Sequence, residues 1–280
     1  ICINIILAVS LNLITGFTGQ FSLGHAGFMS IGAYVCAFIT MRNPTILGFL
    51  IGVFAGALAA ALMGFLVGLP TLRLRGDYLA IATLGMSEII RIIFLNLEIT
   101  NGAAGLNGIP QFVNWTWLFI FVTATILGIS NFIKSSHGRA CISIREDEIA
   151  PEAMGINTIK YKVVAFVIGS FCAGIAGALY ASYFYYIKPD LFGFLKSVDI
   201  LVIVVLGGLG SISGSILAAI LLALISTYLQ SFPEIRMILY AAALIAIMIF
   251  RPQGLMGSRE LSLELLGKLG DSLKFKKGRV

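Results

Sequence analysis

Five stretches of the sequence, each at least 25 residues long, contain no Asp, Glu, Lys or Arg: 1–41, 43–72, 99–133, 163–187 and 200–233. About 20 apolar residues are enough for a helix to cross the hydrocarbon core of a bilayer. Charged residues make up 11% of the chain, against about 25% in soluble proteins. The pattern predicts an all-α, polytopic integral membrane protein. It excludes a soluble enzyme, a disordered chain and a nucleic-acid-binding protein.

The apolar pattern predicts about 8–10 transmembrane helices, one of them short or broken. We place helices at 1–15, 21–40, 46–69, 78–99, 115–133, 161–186, 197–207, 212–229 and 236–250. Residues 1–257 then form one transmembrane domain, and 258–280 form a basic tail. The sequence opens at Ile1 inside an apolar run without an initiator Met, so we expect it to be a fragment. These crossings place residue 1 outside, which implies a further upstream helix if the native N-terminus is cytoplasmic.

The basic residues are concentrated in three segments: the connection with Arg73 and Arg75, the loop 134–160, and the C-terminal region, where 251–280 holds seven Lys or Arg. Nine crossings bring all three to one side of the membrane, which the positive-inside rule makes cytoplasmic. Aromatic residues at the opposite helix ends, including Trp115 and Tyr228, agree with this orientation. We therefore expect the loop 134–160 and the C-terminus in the cytoplasm, with the tail resting on membrane lipid.

Glycine interrupts two of the predicted helices, at 16–27 and at 206–215. Exposed backbone at membrane depth is tolerated only inside protein or along a wet cavity, and a pair of broken segments is the best sequence pointer to a transporter's binding site. The candidates for a substrate path are Gly24, His25 and Gly27 in the first segment, and Gly207, Gly208 and Gly210 in the second. Close packing of glycine-rich turns, with His25 as a hydrogen-bonded structural residue, is the alternative.

Small residues also repeat every four positions along two helices, at 52–68 and 165–181. Such stripes allow helix backbones to approach closely in lipid. We expect both stripes to be packing surfaces.

Glu88 lies eleven residues beyond Asp77, so it is placed about 16 Å along its helix, near the middle of the bilayer. Arg91 follows at i+3 on the same face. Charges at this depth usually face a bundle interior or an aqueous path. Glu88 is therefore either half of a structural ion pair or a substrate-path residue.

Motifs for catalysis are missing from the sequence. It contains no P-loop, no zinc-protease motif and no nucleophile elbow, and its four cysteines have no metal or disulfide spacing. We expect no enzyme activity, no metal and no cofactor in this chain, with energy supplied by a partner. Ser143 to Glu146 fits a capping box for a short helix in the loop 134–160, bent at Pro151 and ended by Gly155. This helix is a docking candidate or a simple surface helix.

Seven segments together resemble the permease subunits of branched-chain amino-acid ABC importers, over nearly the whole chain up to about residue 257. They are Thr15–Gly27 (TGFTGQFSLGHAG), Thr71–Gly85 (TLRLRGDYLAIATLG), Thr100–Gly108 (TNGAAGLNG), Arg145–Glu148 (REDE), Glu152–Asn157 (EAMGIN), Leu206–Ser211 (LGGLGS) and Arg251–Gly257 (RPQGLMG).

The resemblance implies a prokaryotic inner-membrane pore that imports Leu, Ile or Val by alternating access. It implies a second related permease, two cytoplasmic ATP-binding subunits that hold ATP and Mg²⁺, and a soluble solute-binding protein. Urea or short-chain amide permeases share the framework and stay an alternative, as does a stand-alone ion-coupled carrier or channel.

The same resemblance assigns the loop 134–160 to ATPase coupling and adds the outer loop to the substrate path. The coupling residues it implies are Arg145, Glu146, Asp147, Glu148, Glu152, Ala153 and Gly155. The added substrate-path residues are Asn101, Gly102 and Asn107. The local spelling departs from the EAA motif of importers in general, and Pro151 interrupts it.

Overall fold

A computed structural model describes residues 1–74, 76–228 and 254–257, and this part of the chain is almost entirely helical. The helices are α1 Cys2–Asn12, α2 His25–Arg42, α3 Ile46–Thr71, α4 Asp77–Asn96, α5 Trp115–Lys134, α6 Ser136–Glu146, α7 Ile149–Ala153, α8 Thr158–Phe184, α9 Phe194–Gly207 and α10 Ile212–Tyr228. A π-helical turn, Leu13–Phe17, extends α1. Short 3₁₀ turns lie at Glu98–Thr100, Gly102–Ala104 and Pro189–Phe192.

Four helices, α3, α4, α5 and α8, are long and apolar enough to cross a membrane, and α1 with its π turn and α10 are shorter apolar helices. The predicted all-α, polytopic membrane fold is confirmed. The predicted helix at 236–250 and the basic tail at 258–280 lie outside the described residues.

Two antiparallel two-residue strands, β1 (Leu106–Asn107) and β2 (Tyr186–Ile187), were not predicted. They join the loop after α4 to the loop after α8, at the end of the bundle opposite α6 and α7. We call this the β end, and the other the α6–α7 end.

Helix α1 lies at the centre of the bundle. It packs against α5, α8, α9 and α10, and its residues from Ile5 onward are at most 7% exposed. A helix that is apolar all round is either buried in protein or exposed to lipid, and α1 is buried in protein. The first charge-free stretch therefore begins with the innermost helix.

The two predicted small-residue stripes are packing surfaces. A methyl group on Gly56 of α3 would lie 2.7 Å from the carbonyl oxygen of Gly32 in α2, and one on Gly177 of α8 would lie 1.9 Å from the carbonyl oxygen of Met29 in α2. Such distances leave no room for a side chain, because carbon and oxygen atoms in contact stay more than 3 Å apart. Glycine thus sets how closely α2, α3 and α8 pack.

Candidate translocation and coupling sites

Both predicted glycine interruptions are breaks in helical structure. The first break, residues 18–24, separates the π turn from α2, which begins at His25 rather than at 21 as predicted. The second break, residues 208–211, separates α9 from α10. Gly208 and Gly210 have φ values of 114° and 85°, and Gly19 has 72°. These conformations favour glycine, so the sequence specifies where the helices stop.

Asn12, at the end of α1, joins the two halves of the chain. Its Nδ2 donates to the carbonyl oxygen of Ser211 and to the hydroxyl of Ser215, both across 2.8 Å, and its Oδ1 accepts from the amide of Gly210 across 2.9 Å. Sequence reasoning did not single out Asn12. The available signal was an amide side chain in a charge-free stretch, since buried polar groups need partners.

Arg145, the penultimate residue of α6, lies where the two halves meet. Its Nη1 donates to the carbonyl oxygen of Gly16 across 2.9 Å, and the guanidinium also pairs with Glu146. A methyl group on Gly210 would lie 2.6 Å from the same Nη1, and one on Gly19 would lie 3.1 Å from the Arg145 Cγ. One side chain of the predicted coupling loop therefore touches both breaks.

The loop 134–160 contains more helix than predicted, and the predicted capping box at Ser143 is wrong. Ser143 lies inside α6 and donates to the carbonyl oxygen of Ala140. The helix begins earlier, where the Ser135 hydroxyl accepts from the amide of Gly138. A serine within an established helix turns its hydroxyl back to the preceding turn, so it caps nothing.

Helix α7 is shorter than predicted and follows an Asp147 turn, in which Oδ1 accepts from the amide of Ile149 across 2.9 Å. Pro151 falls in the first turn of α7, where proline is tolerated, so the predicted bend is wrong. Gly155 ends the helix as predicted, with φ of 80°. The amide of Ile156 donates to the Pro151 carbonyl oxygen and that of Gly155 to Glu152, which is a Schellman motif.

The predicted coupling residues divide into two groups. Arg145, Glu146, Asp147 and Glu148 are engaged within the chain, Asp147 through the amide of Ile149 and Glu148 through an ion pair of 2.5 Å with the nearly buried Lys162. Glu152, Ala153 and Gly155 are exposed. Two apolar side chains beside them are also open, Ile149 at 73% and Met154 at 83% exposure. The exposed apolar and acidic surface of α7 is thus free to contact another protein.

His25, Gly24 and Gly27 form a separate buried group, away from the second break. His25 Nε2 lies 2.8 Å from the Ser10 hydroxyl. A methyl group on Gly24 would lie 2.7 Å from the Thr83 carbonyl oxygen, and one on Gly27 would lie 2.9 Å from the Cα of Ser87. The start of α2 is therefore pressed against α4. Among the described residues, His25 Nδ1 and Ser87 Oγ find no hydrogen-bond partner.

Four other substrate-path candidates, Glu88, Asn101, Gly102 and Asn107, lie at or near the β end, whereas Gly207 ends α9 beside the second break. Glu88 pairs with Arg91 on α4, as the i+3 spacing predicted, and Arg91 also reaches Asp190. Asn101 and Gly102 take left-handed conformations in the loop after α4, and Asn107 pairs with Tyr186 in the strands. Gly207 packs against the Gly214 backbone. The ten predicted path residues therefore occupy three places rather than one.

Metal chemistry has no support in the described part of the chain, where no group of three or more His, Cys, Asp or Glu residues could hold an ion. An apolar helical bundle in which two helices are broken by glycine is typical of membrane transport proteins. Residues 1–248 match the family described as branched-chain amino acid transport system, permease component.

Over 298 residues the chain is 38% identical to the high-affinity branched-chain amino acid transport system permease protein LivM of Escherichia coli K12, covering 94% of the chain and 70% of that relative. It is 27% identical to the corresponding LivH protein of the same strain, covering 91% and 92%. A probable LivM permease of Methanocaldococcus jannaschii is 25% identical over 72% of the chain and 67% of the relative. No solved structure matches significantly.

The chain therefore belongs to the permease components of branched-chain amino-acid transport systems. It is a multi-pass membrane subunit without catalytic activity of its own.

Proposed function

We propose that this chain is one half of the membrane pore of an ATP-driven importer that moves leucine, isoleucine and valine into the cell. Support comes from the matched family and from relatives named for high-affinity branched-chain amino acid transport. On this proposal α6 and α7 lie in the cytoplasm, and the β end faces outward, as the basic residues of 134–160 favour.

The second half of the pore is a related permease. Support comes from the two Escherichia coli K12 permeases, LivM and LivH, which are both similar to this chain but to different degrees, 38% and 27%. Two ATP-binding subunits, which hold ATP and Mg²⁺, dock on α7, and a soluble solute-binding protein delivers substrate to the β end. Exposed Ile149 and Met154, with Glu152 beside them, offer the apolar and acidic contacts for the ATPase.

The observation that carries the proposal is the contact of Arg145 with both breaks. Arg145 is four residues before Ile149, the first residue of α7, and it bonds Gly16 while lying against Gly210. A displacement of α7 by the ATPase thus acts directly on Leu13–Phe17 and on 208–211. Because packed elements shift between discrete arrangements rather than deforming continuously, this contact suits alternating access.

The test is purification of the full chain from its native membrane in mild detergent, followed by identification of the bound proteins. We expect a second permease and ATP-binding subunits in stable association. Uptake of labelled leucine by the purified assembly is then competed with isoleucine, valine and urea. Competition by urea instead of isoleucine and valine would favour an amide permease, and uptake by the chain alone, driven by an ion gradient, would overturn the proposal.

A further inference from the structure

Three charged side chains are joined between α4 and the loop after α8. Arg91 Nε lies 2.7 Å from Glu88 Oε2, and Arg91 Nη1 lies 3.3 Å from Asp190 Oδ1. We call Glu88, Arg91 and Asp190 the charged triad. It holds two carboxylates and one guanidinium, so one of its negative charges is not balanced within the triad.

The charged triad is open rather than enclosed. The exposed fractions are 25% for the Arg91 side chain, 31% for Glu88 and 57% for Asp190. Charged side chains on a membrane-spanning helix are costly against hydrocarbon and usually face protein or water. The triad side of α4 must therefore meet water or protein.

Helix α3 differs from the charged side of α4, because the exposed residues of α3 are all apolar. They are Ile46, Leu47, Ile51, Phe54, Leu58, Leu62, Phe65, Leu66, Leu69 and Pro70. That surface suits lipid along the whole length of the helix. Exposed residues of α4, including Ile81, Ile89 and Ile92, are also apolar. The side of α4 that carries Glu88 and Arg91 is therefore the part that differs from α3.

The surroundings of the charged triad point to a ligand. Gly193 precedes α9 beside the triad, and a methyl group there would make ordinary contacts, 3.6 Å from the Asp190 carbonyl oxygen, 3.7 Å from Arg91 Cδ and 4.0 Å from Glu88 Oε1, so a small side chain fits. Tyr34 is fully buried, and its hydroxyl has no hydrogen-bond partner among the described residues. The ring stacks on Phe94 with centroids 4.3 Å apart and meets Phe192, two residues beyond Asp190, with centroids 6.3 Å apart.

We infer that the charged triad is a binding site for the zwitterionic head of an α-amino acid entering from the β end. The substrate carboxylate takes the Arg91 guanidinium in place of the long contact to Asp190, and its ammonium group lies between the Asp190 and Glu88 carboxylates. Guanidinium groups suit carboxylates because two parallel N–H groups can donate together. The aliphatic side chain lies against half-buried Phe94 and Leu191. This inference rests on the proposed function, since it names how that substrate is held.

Water access is tested first, because this measurement does not depend on transport. A Gly193→Cys chain, in the assembled transporter, is treated with a charged, water-soluble thiol reagent, and labelling is compared with the parent chain. Leu58→Cys on α3 is the matched control, since its exposed side chain faces lipid. We expect fast labelling at 193, slowed at least fivefold by millimolar L-leucine and unaffected by 4-methylpentanoate or 3-methylbutylamine. Labelling at 193 as slow as at 58, or no protection by leucine, would overturn the inference.

A charge exchange separates binding from a structural ion pair. The double variant Glu88→Arg, Arg91→Glu keeps an ion pair at i,i+3. It exchanges the positions of the positive and negative charges relative to Asp190 and α9. We expect thermal stability within about 2 °C of the parent and receptor-stimulated ATP hydrolysis to persist, while leucine uptake falls at least tenfold. Glu98→Gln, an exposed acid outside the triad, leaves uptake unchanged. Normal leucine uptake by the exchanged chain would show that the Glu88–Arg91 pair is only structural. If the assembly with the parent chain took up no leucine at all, that result would count against the proposed function instead.

Discussion

The Nη1 of Arg145 donates a hydrogen bond to the carbonyl oxygen of Gly16 across 2.9 Å, although the two residues are 129 positions apart in the chain. Gly16 lies in the π-helical turn just before the first break, and Arg145 is the penultimate residue of α6, the helix that leads to α7. The bond therefore connects the surface proposed for the ATPase to the segment proposed to move. Asn12 continues the connection to the second break through Gly210 and Ser211.

Replacing Arg145 with alanine removes that bond and leaves α7 in place. A hydrogen bond from a charged group contributes about 1.5–3 kcal/mol, so we expect leucine uptake to fall at least about tenfold. ATP hydrolysis by the assembled transporter is expected to persist, because the ATPase contact is separate. Arg139→Ala is the matched control, since Arg139 lies in the same helix and its side chain, within the described residues, bonds the nearby Lys134 carbonyl oxygen. Equal effects of both variants would contradict the coupling role.

Glu148 and Glu152 are separated by the structure into an internal and an external acid. Reversing Glu148 to lysine places two positive charges together at nearly buried Lys162, and we expect the midpoint of thermal unfolding to fall by several degrees. Reversing exposed Glu152 is expected to leave unfolding unchanged and to weaken association with the ATPase. Thermal unfolding in detergent and co-purification measure the two effects. A Glu152→Lys chain that assembles normally would remove this acid from the ATPase contact.

Glycines at helix contacts and glycines at open positions are expected to respond in opposite ways. Gly32→Ala forces a methyl group to 2.0 Å from the Gly174 carbonyl oxygen, so α2 and α8 must separate, at a cost of about 1–3 kcal/mol. Gly128→Ala meets no atom within 4 Å and lies inside α5. Alanine favours a helix over glycine by about 1 kcal/mol, so the second variant is expected to hold or raise the unfolding temperature. An unfolding temperature that is higher for Gly32→Ala than for Gly128→Ala would contradict the close packing of α2 against α8.

The Cys141 thiol lies in α6 and is buried, which raises its pKa to about 11. Because only the thiolate reacts with alkylating reagents, about one molecule in a thousand is reactive at pH 8. We expect slow alkylation at pH 8 in the native chain, with the rate rising as the pH approaches 11. Labelling after denaturation serves as the control for total thiol. Rapid native labelling at pH 8 would show that α6 is more open than described.

The parts of the fold that depend on nearby residues were predicted from the sequence. The breaks at 18–24 and 208–211, the stripes on α3 and α8, and the pairing of Glu88 with Arg91 follow from spacing along one segment. The first turn of α6 and the role of Ser143 were missed, because a serine followed by a glutamate at i+3 fits a helix start as well as a helix interior.

Contacts between distant segments were beyond sequence reasoning. Nothing in the spacing of Arg145 or Asn12 indicates that they meet at Gly16 and Gly210, because that depends on how α1, α6 and the α9–α10 pair pack. Asp190 joined Arg91 for the same reason. The sequence therefore identified most of the participating segments, and the packing determined which residues share a site.

The most direct test of the central claim is leucine uptake into liposomes that contain this chain, its co-purifying permease and the ATP-binding subunits, with the solute-binding protein outside and ATP inside. We predict uptake that needs every component, stops when ATP is omitted, and falls with Arg145→Ala while ATP hydrolysis continues. Uptake by this chain alone under a proton or sodium gradient, or full uptake by the Arg145→Ala assembly, would contradict it.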